Sequence, residues 1–259
     1  MKNIYQSIIV LTISISSILA QSADQKGLQI AKQADLADQG FESAEVDLKM
    51  KLTNAHGQVS ERDMSNKILE LTEDGDKSLI AFESPKDVEG TKTLTYSHKE
   101  GPDDQWLYLP ALKRVKRISS DNKSGPFMGS EFSYEDLSSS EVEKYTYKFI
   151  KETTLNGEQV AVVEQYPVDP KSGYSKRIAY YNLSGDYRME KIEYYDRKDS
   201  KLKTLEYVDY KQYLDKYWRA DLLVMTNHQN GKKTELIFSD YAFKVGLSDV
   251  DFTQNSLRR

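Results

Sequence analysis

Along residues 44–52 the side chains alternate: Ala44, Val46, Leu48, Met50 and Leu52 fall on one side, and Glu45, Asp47, Lys49 and Lys51 on the other. Successive side chains of a strand point to opposite faces, so this period of two predicts a half-buried β-strand. Upstream the period is helical. Leu28, Ala31, Ala34 and Ala37 recur at threes between Asp24, a residue that caps helices, and Gly40, where a helix would stop. The spacing predicts one helix over 24–39.

Further runs rich in β-branched and aromatic residues follow at 64–71, 79–83, 91–97, 105–109, 114–118, 142–153, 160–166, 176–183, 188–195, 205–210, 217–226 and 234–241. Turn signals at 54–57, 74–76, 101–104, 156–157, 184–186 and 230–231 separate many of them, as in an all-β meander. A short helical piece is expected near 134–140. A twisted antiparallel sheet of so many strands curls or closes, because a flat one leaves long edges and an uncovered apolar face. The expected fold is therefore mainly β, a barrel or half-barrel. A ligand cavity under a small lid would fill its concave side, and a fully packed interior satisfies the same alternation.

Residues 105–137 carry the most information. Trp106 and Tyr108 sit on an aromatic strand, and Lys113, Arg114, Lys116 and Arg117 place four cations within five residues of the next. A long loop at 119–131 then opens, in which Gly125 and Gly129 bracket Pro126, Phe127 and Met128, with Phe132 just beyond. Loops of that length tend to be functional or disordered, so a mobile lid and a plain surface loop are both open readings. Phe127, Met128 and Phe132 are the expected lid, and Val46, Leu48, Met50, Trp106 and Tyr108 the provisional cavity lining. The cationic strand has two readings: a solvated edge kept from aggregating by its charges, or a surface that meets anionic headgroups or a membrane partner. A greasy ligand with a polar or anionic end suits this combination.

Composition narrows the setting. Lys2, the uncharged run at 8–19 and the small residue Ala20 read as a secretory signal peptide over 1–20, followed by one domain over 21–259. That run is shorter than the roughly 20 residues a spanning helix needs. The chain has no cysteine, so neither disulfides nor a lipidated cysteine at the cleavage point are available. The formal net charge of −5 argues against a general nucleic-acid binder. An exported, periplasmic protein is expected. Catalytic signals are weak: His56, His98 and His228 lack metal-ligand spacing, no Gly-x-Ser-x-Gly elbow occurs, and a carboxylate pair such as Asp103 with Asp136 is what any acidic protein offers. No enzyme, metal or cofactor is expected.

Several of these segments together resemble a known family. The leading helix, the Val46-x-Leu48-x-Met50 strand, the Trp106-Leu-Tyr-Leu-Pro110 stretch running into Lys113-Arg-Val-Lys-Arg117, the Gly125-Pro-Phe-Met-Gly129 turn with Phe132 and Asp136, and the closing Asp251-Phe-Thr253 are similar to the outer-membrane lipoprotein-sorting proteins. These are a branch of the LolA/LolB-like periplasmic lipoprotein carriers. The resemblance implies an incomplete antiparallel β-barrel with helices over its mouth. It also implies a hydrophobic cavity that shields the acyl chains of a lipoprotein or lipid moving between membranes. Members of this branch are associated with exporters of the resistance-nodulation-division type. The implied partners are therefore acyl chains or lipids and an inner-membrane transporter, and the alternative is a non-carrier accessory domain docked on such an exporter.

Overall fold

The computed structural model describes residues 21–258; the signal peptide expected at 1–20 lies outside them. Helix α1 (Ala23–Asp38) starts one residue earlier than its period suggests, because Ser22 is its cap. The Ser22 hydroxyl accepts from the Gln25 amide at 3.1 Å, and the Ser22 amide donates back to Gln25 Oε1 at 3.1 Å. Asp24, the expected cap, sits in the first turn and complements the helix dipole there.

Two antiparallel meanders make the rest. The first contains β1 (Ser43–Thr53), β2 (Val59–Leu69), β3 (Lys77–Ser84), β4 (Lys92–Tyr96), β5 (Asp104–Leu109) and β6 (Arg114–Ile118). The second contains β7 (Tyr145–Leu155), β8 (Glu158–Pro167), β9 (Tyr174–Asn182), β10 (Met189–Asp196), β11 (Lys201–Tyr213), β12 (Tyr217–Asn227) and β13 (Lys233–Phe243). Pairing of β1 with β13 fuses them into one 13-stranded sheet of order β6-β5-β4-β3-β2-β1-β13-β12-β11-β10-β9-β8-β7. Its two ends, β6 and β7, do not pair with each other, so the barrel is open.

Register puts the apolar positions on one concave face. Leu48 pairs with Met64 on one side and Phe238 on the other, and Met50 pairs with Leu236, which pairs in turn with Leu223. These residues, with Phe82, Ile192, Leu205 and Met225, form or border the main core. Helix α1 covers part of that face. Gly27 lets it approach the edge: a β-carbon there would lie 2.8 Å from the Phe149 amide nitrogen of β7. Lys26 reinforces the contact through Glu152 at 2.8 Å, and Ile30 and Ala31 pack on Ala161, Val163, Ala179 and Tyr181 of β8 and β9.

The connection from β6 to β7, residues 119–144, is not a free flap. Short 3-10 turns (Ser120–Asn122, Phe127–Gly129 and Tyr134–Leu137) fold it back over the concave face as a plug. Phe127 and Phe132 are buried at 1% and 4% exposure, and the Phe127 ring centroid lies 5.7 Å from that of Phe82. The mobile apolar tip expected from the sequence is thus tucked inward. Aromatic side chains beside an apolar face gain more from burial than from solvent.

Candidate binding cavity

Between α1, the plug and the curved sheet lie two adjoining compartments of about 570 and 440 Å³. The first is lined by Ala31, Ala34 and Asp38 of α1 and by Ile68, Trp218 and Tyr241 of the sheet. The second reaches Ile192, Tyr194, Leu205 and Leu236, with Arg177 and Tyr174 on its wall. Asn66, Ile80, residues 137–140, Leu223 and Phe238 border both. Volumes of this size fall within the usual range of small-molecule sites. Two atoms at the shared wall, Asn66 Oδ1 and Ser138 Oγ, are buried without a hydrogen-bond partner among the described residues.

The rim of the first compartment is acidic. Asp76 accepts a bond from the Leu71 amide at 3.2 Å. Its carboxyl is pushed up to about 7 by burial, with Glu141, Glu70 and Asp38 adding repulsion. Burial likewise raises Asp35 and Glu141, while Asp38, whose side chain is about half exposed, pairs with Arg219.

The plug is held by polar contacts to both meanders. On the first, Arg62 of β2 donates to the Met128 carbonyl at 2.5 Å and Gln105 of β5 to the Tyr134 carbonyl at 2.8 Å. On the second, Lys203 of β11 donates to Asp136 at 2.6 Å and to the Glu131 carbonyl at 2.9 Å, and the Tyr174 hydroxyl donates to Asp136 at 2.8 Å. Glu131 also accepts from Asn227 of β12 at 2.6 Å. Gly173 permits the close fit, because a β-carbon there would meet Ser124 Cβ at 2.6 Å.

The sequence-derived residues separate into three places. Val46, Leu48 and Met50 are buried on the concave side, and Leu48 borders the second compartment. Phe127 and Phe132 pack into the main core with Met128 at its margin, and Phe132 borders the second compartment. Trp106 and Tyr108 do not join them. The inward positions of β5 are Gln105 and Leu107, so the two aromatic rings face the outer side. There they pack with Leu79, Leu94, Phe252 and Leu257, under the chain's last turns. Strand β5 is covered on both faces, so its aromatic residues gave no cue to direction. Lys113, Arg114, Lys116 and Arg117 lie on or beside β6, one open edge of the sheet. Arg117 is bonded to Asp104, which also contacts His98, while no ion pair involves the other three among the described residues.

Arg177 and Lys203 escaped the sequence reading. Each is a charged residue in an apolar register, Arg177 with Ala179 and Tyr181, Lys203 with Leu205 and Tyr207. A cation in the inward position of a strand was the available signal.

A family model described only as an uncharacterized protein matches residues 74–259. No curated protein matches the chain. Among solved structures, a domain assigned to outer-membrane lipoprotein sorting from Vibrio parahaemolyticus is 54% identical, with a TM-score of 0.89 over 91% of this chain and 100% of that one. A DUF1329 family protein from Desulfovibrio piger is 27% identical, with a TM-score of 0.86 over 91% and 99%. A LolA superfamily protein from Nitrosomonas europaea shares the fold at 19% identity, with a TM-score of 0.71 over 89% and 99%.

Proposed function

Because the chain belongs to the outer-membrane lipoprotein-sorting protein family, we propose that it is a periplasmic carrier that takes acyl chains of lipoproteins or other lipids into its concave cavity and moves them between membranes or to an exporter. The observation that supports this reading most is the paired cavity itself. Its shared wall sets the apolar side chains of Ile80, Leu137, Leu223 and Phe238 beside Asn66 and the serines at 138–140, and its cover of helix and plug comes from the same chain. Each methylene transferred from water into such a space is worth about 0.8 kcal/mol, so an acyl chain binds without a dedicated polar contact.

The reading is of a binding protein and not of an enzyme. Asp103 and Asp136 border the same compartment, but each is engaged by a lysine, Lys144 at 2.6 Å and Lys203 at 2.6 Å. A second reading, an accessory domain docked on a resistance-nodulation-division type exporter, draws on the depth to which Phe127 and Phe132 are buried, since a fully seated plug suits a scaffold. Mass spectrometry of organic extracts from protein purified natively from its own periplasm separates the two. Stoichiometric acylated species support the carrier. Their consistent absence, with transporter co-purification intact, supports the docked scaffold.

A further inference from the structure

Arg177 projects from β9 into the wall of the second compartment and is 8% exposed. Its Nε donates to Gln165 Oε1, its Nη2 donates to Ser140 Oγ at 2.7 Å, and its guanidinium carbon lies 3.8 Å from the centroid of the Tyr145 ring. No carboxylate lies within ion-pair distance of it among the described residues. The carboxylates that share the compartment are engaged elsewhere: Asp103 with Lys144, Asp136 with Lys203 and Asp169 with Lys123, while Glu135 accepts from Gly173 N–H and Ser172. Glu100 and Glu143 border it with no ion pair among the described residues.

A buried guanidinium is ordinarily matched by an anion, because removing an unpaired charge from water is costly. Among the described residues two of its five N–H donors are used, both on neutral acceptors, and a stacked tyrosine fixes its plane. We propose that Arg177 receives the anionic head, a carboxylate or phosphate, of an acyl ligand whose chain lies along Ile192, Leu205 and Leu223. The planar fork offers a bidentate site to either oxyanion. Ser140, which is exposed, sets this head near the surface, and the apolar wall lies behind it. The proposal rests on the carrier reading for the chain and adds the chemistry of its head.

Equilibrium dialysis of delipidated protein with hexadecanoic acid, 1-monohexadecanoylglycerol and inorganic phosphate tests both. The acid should bind the native protein at least about tenfold more tightly than the neutral glyceride, the range expected for charge-assisted hydrogen bonds. In Arg177→Gln that preference should collapse while glyceride binding persists, and Arg177→Lys should restore part of it. Equal affinity of the native protein for acid and glyceride overturns the proposal and leaves the carrier reading standing, a result independent of whether Arg177→Gln folds. A preference retained in folded Arg177→Gln overturns it too, in favour of the lysines of the compartment. Phosphate binding that Arg177→Gln abolishes, with neither lipid bound, overturns both the acyl-head proposal and the carrier reading and leaves a bare anion site. Binding of none of the three overturns both.

Discussion

Lys203 Nζ lies 2.6 Å from Asp136 Oδ2 with the two side chains only 4% and 5% exposed, so a buried ion pair ties the plug to β11. Tyr174 and the Tyr194 ring enclose the same ammonium at 5.2 and 5.3 Å from their centroids. Removing one partner of such a pair strands the other charge, whereas replacing both with apolar groups is often neutral. Asp136→Ala should therefore lower unfolding stability by about 3–5 kcal/mol, and the double variant Asp136→Leu with Lys203→Met by much less. Denaturant titrations of the three proteins check this. Additive losses in the double variant would show that the pair itself is not what stabilises the plug.

Leu223 borders both compartments and pairs with Tyr207 and Leu236 across the sheet. Leu223→Trp should fill the space without removing a buried polar contact. Acyl binding, read by displacement of a fluorescent fatty acid, should fall at least about tenfold while thermal unfolding shifts by no more than the 1–3 kcal/mol typical of added bulk. Unchanged binding with an intact fold would place the ligand elsewhere.

The strand pattern was legible nearly residue by residue, because alternation and turn chemistry are local. Every segment predicted as a strand lies on one of β1–β13, with ends shifted by a few residues. The closure was legible only as a class: nothing local in 44–53 and 234–241 says that those two strands pair, although their register then aligns Leu48 with Phe238. The plug was read as mobile since Gly125, Gly129 and an apolar tip suit a hinge equally well. What holds it, Lys203 and Tyr174, comes from strands about 70 and 40 residues downstream. Trp106 failed for a related reason: which face of a doubly covered strand looks inward depends on Phe252, far along the chain.

Phe252 is fully buried on the outer face beside Leu94 and Leu257, and the Tyr96 hydroxyl donates to its carbonyl. Phe252→Ala should cost about 3–5 kcal/mol through lost burial and a residual cavity. It should leave the affinity for fatty acid in the folded protein unchanged, as should Trp106→Phe, because both lie across the sheet from the compartments. A loss of affinity in well-folded Trp106→Phe would return that residue to the ligand site.

Three cations at the open edge, Lys113, Arg114 and Lys116, have no ion-pair partner among the described residues, whereas Arg117 is bound to Asp104. Replacing the three with glutamine should leave stability within about 0.5 kcal/mol, the usual range for surface changes. If the edge meets anionic membranes, co-sedimentation with vesicles containing anionic lipid should drop, most at low ionic strength. Binding that is unchanged at every salt concentration, with aggregation newly appearing, would assign the charges to edge protection instead.

The buried carboxyl of Asp76 makes stability depend on pH in a direction opposite to that of an ordinary ion-paired aspartate. Its ordinary value is 3.8 and the fold raises it to about 7. Between those values the native state keeps a proton that the unfolded chain has released, so stability falls as pH rises from about 4 to about 7 and levels off above. Asp35 and Glu141 on the same rim are raised by burial and add in the same sense. His98 does as well: burial disfavours its charged form, but Asp74 at 2.7 Å and Asp104 at 3.4 Å outweigh that and hold it protonated to higher pH than a free imidazole, and that contribution is lost as pH climbs through the raised value. Asp74 works against them only in acid, since His98 pulls it down to about 2 and its stabilisation disappears as pH drops below 4. Stability measured by urea titration should therefore peak in mildly acidic buffer and decline toward pH 8. Asp76→Asn keeps an acceptor for the Leu71 amide without the titrating proton, so it should flatten most of the slope and raise stability at pH 8 by roughly 2–4 kcal/mol, the scale of a three-unit shift. Native protein that is as stable at pH 8 as at pH 5, or an Asp76→Asn variant that retains the full slope, would mean that Asp76 is ionised in the fold and its neighbours carry no net penalty.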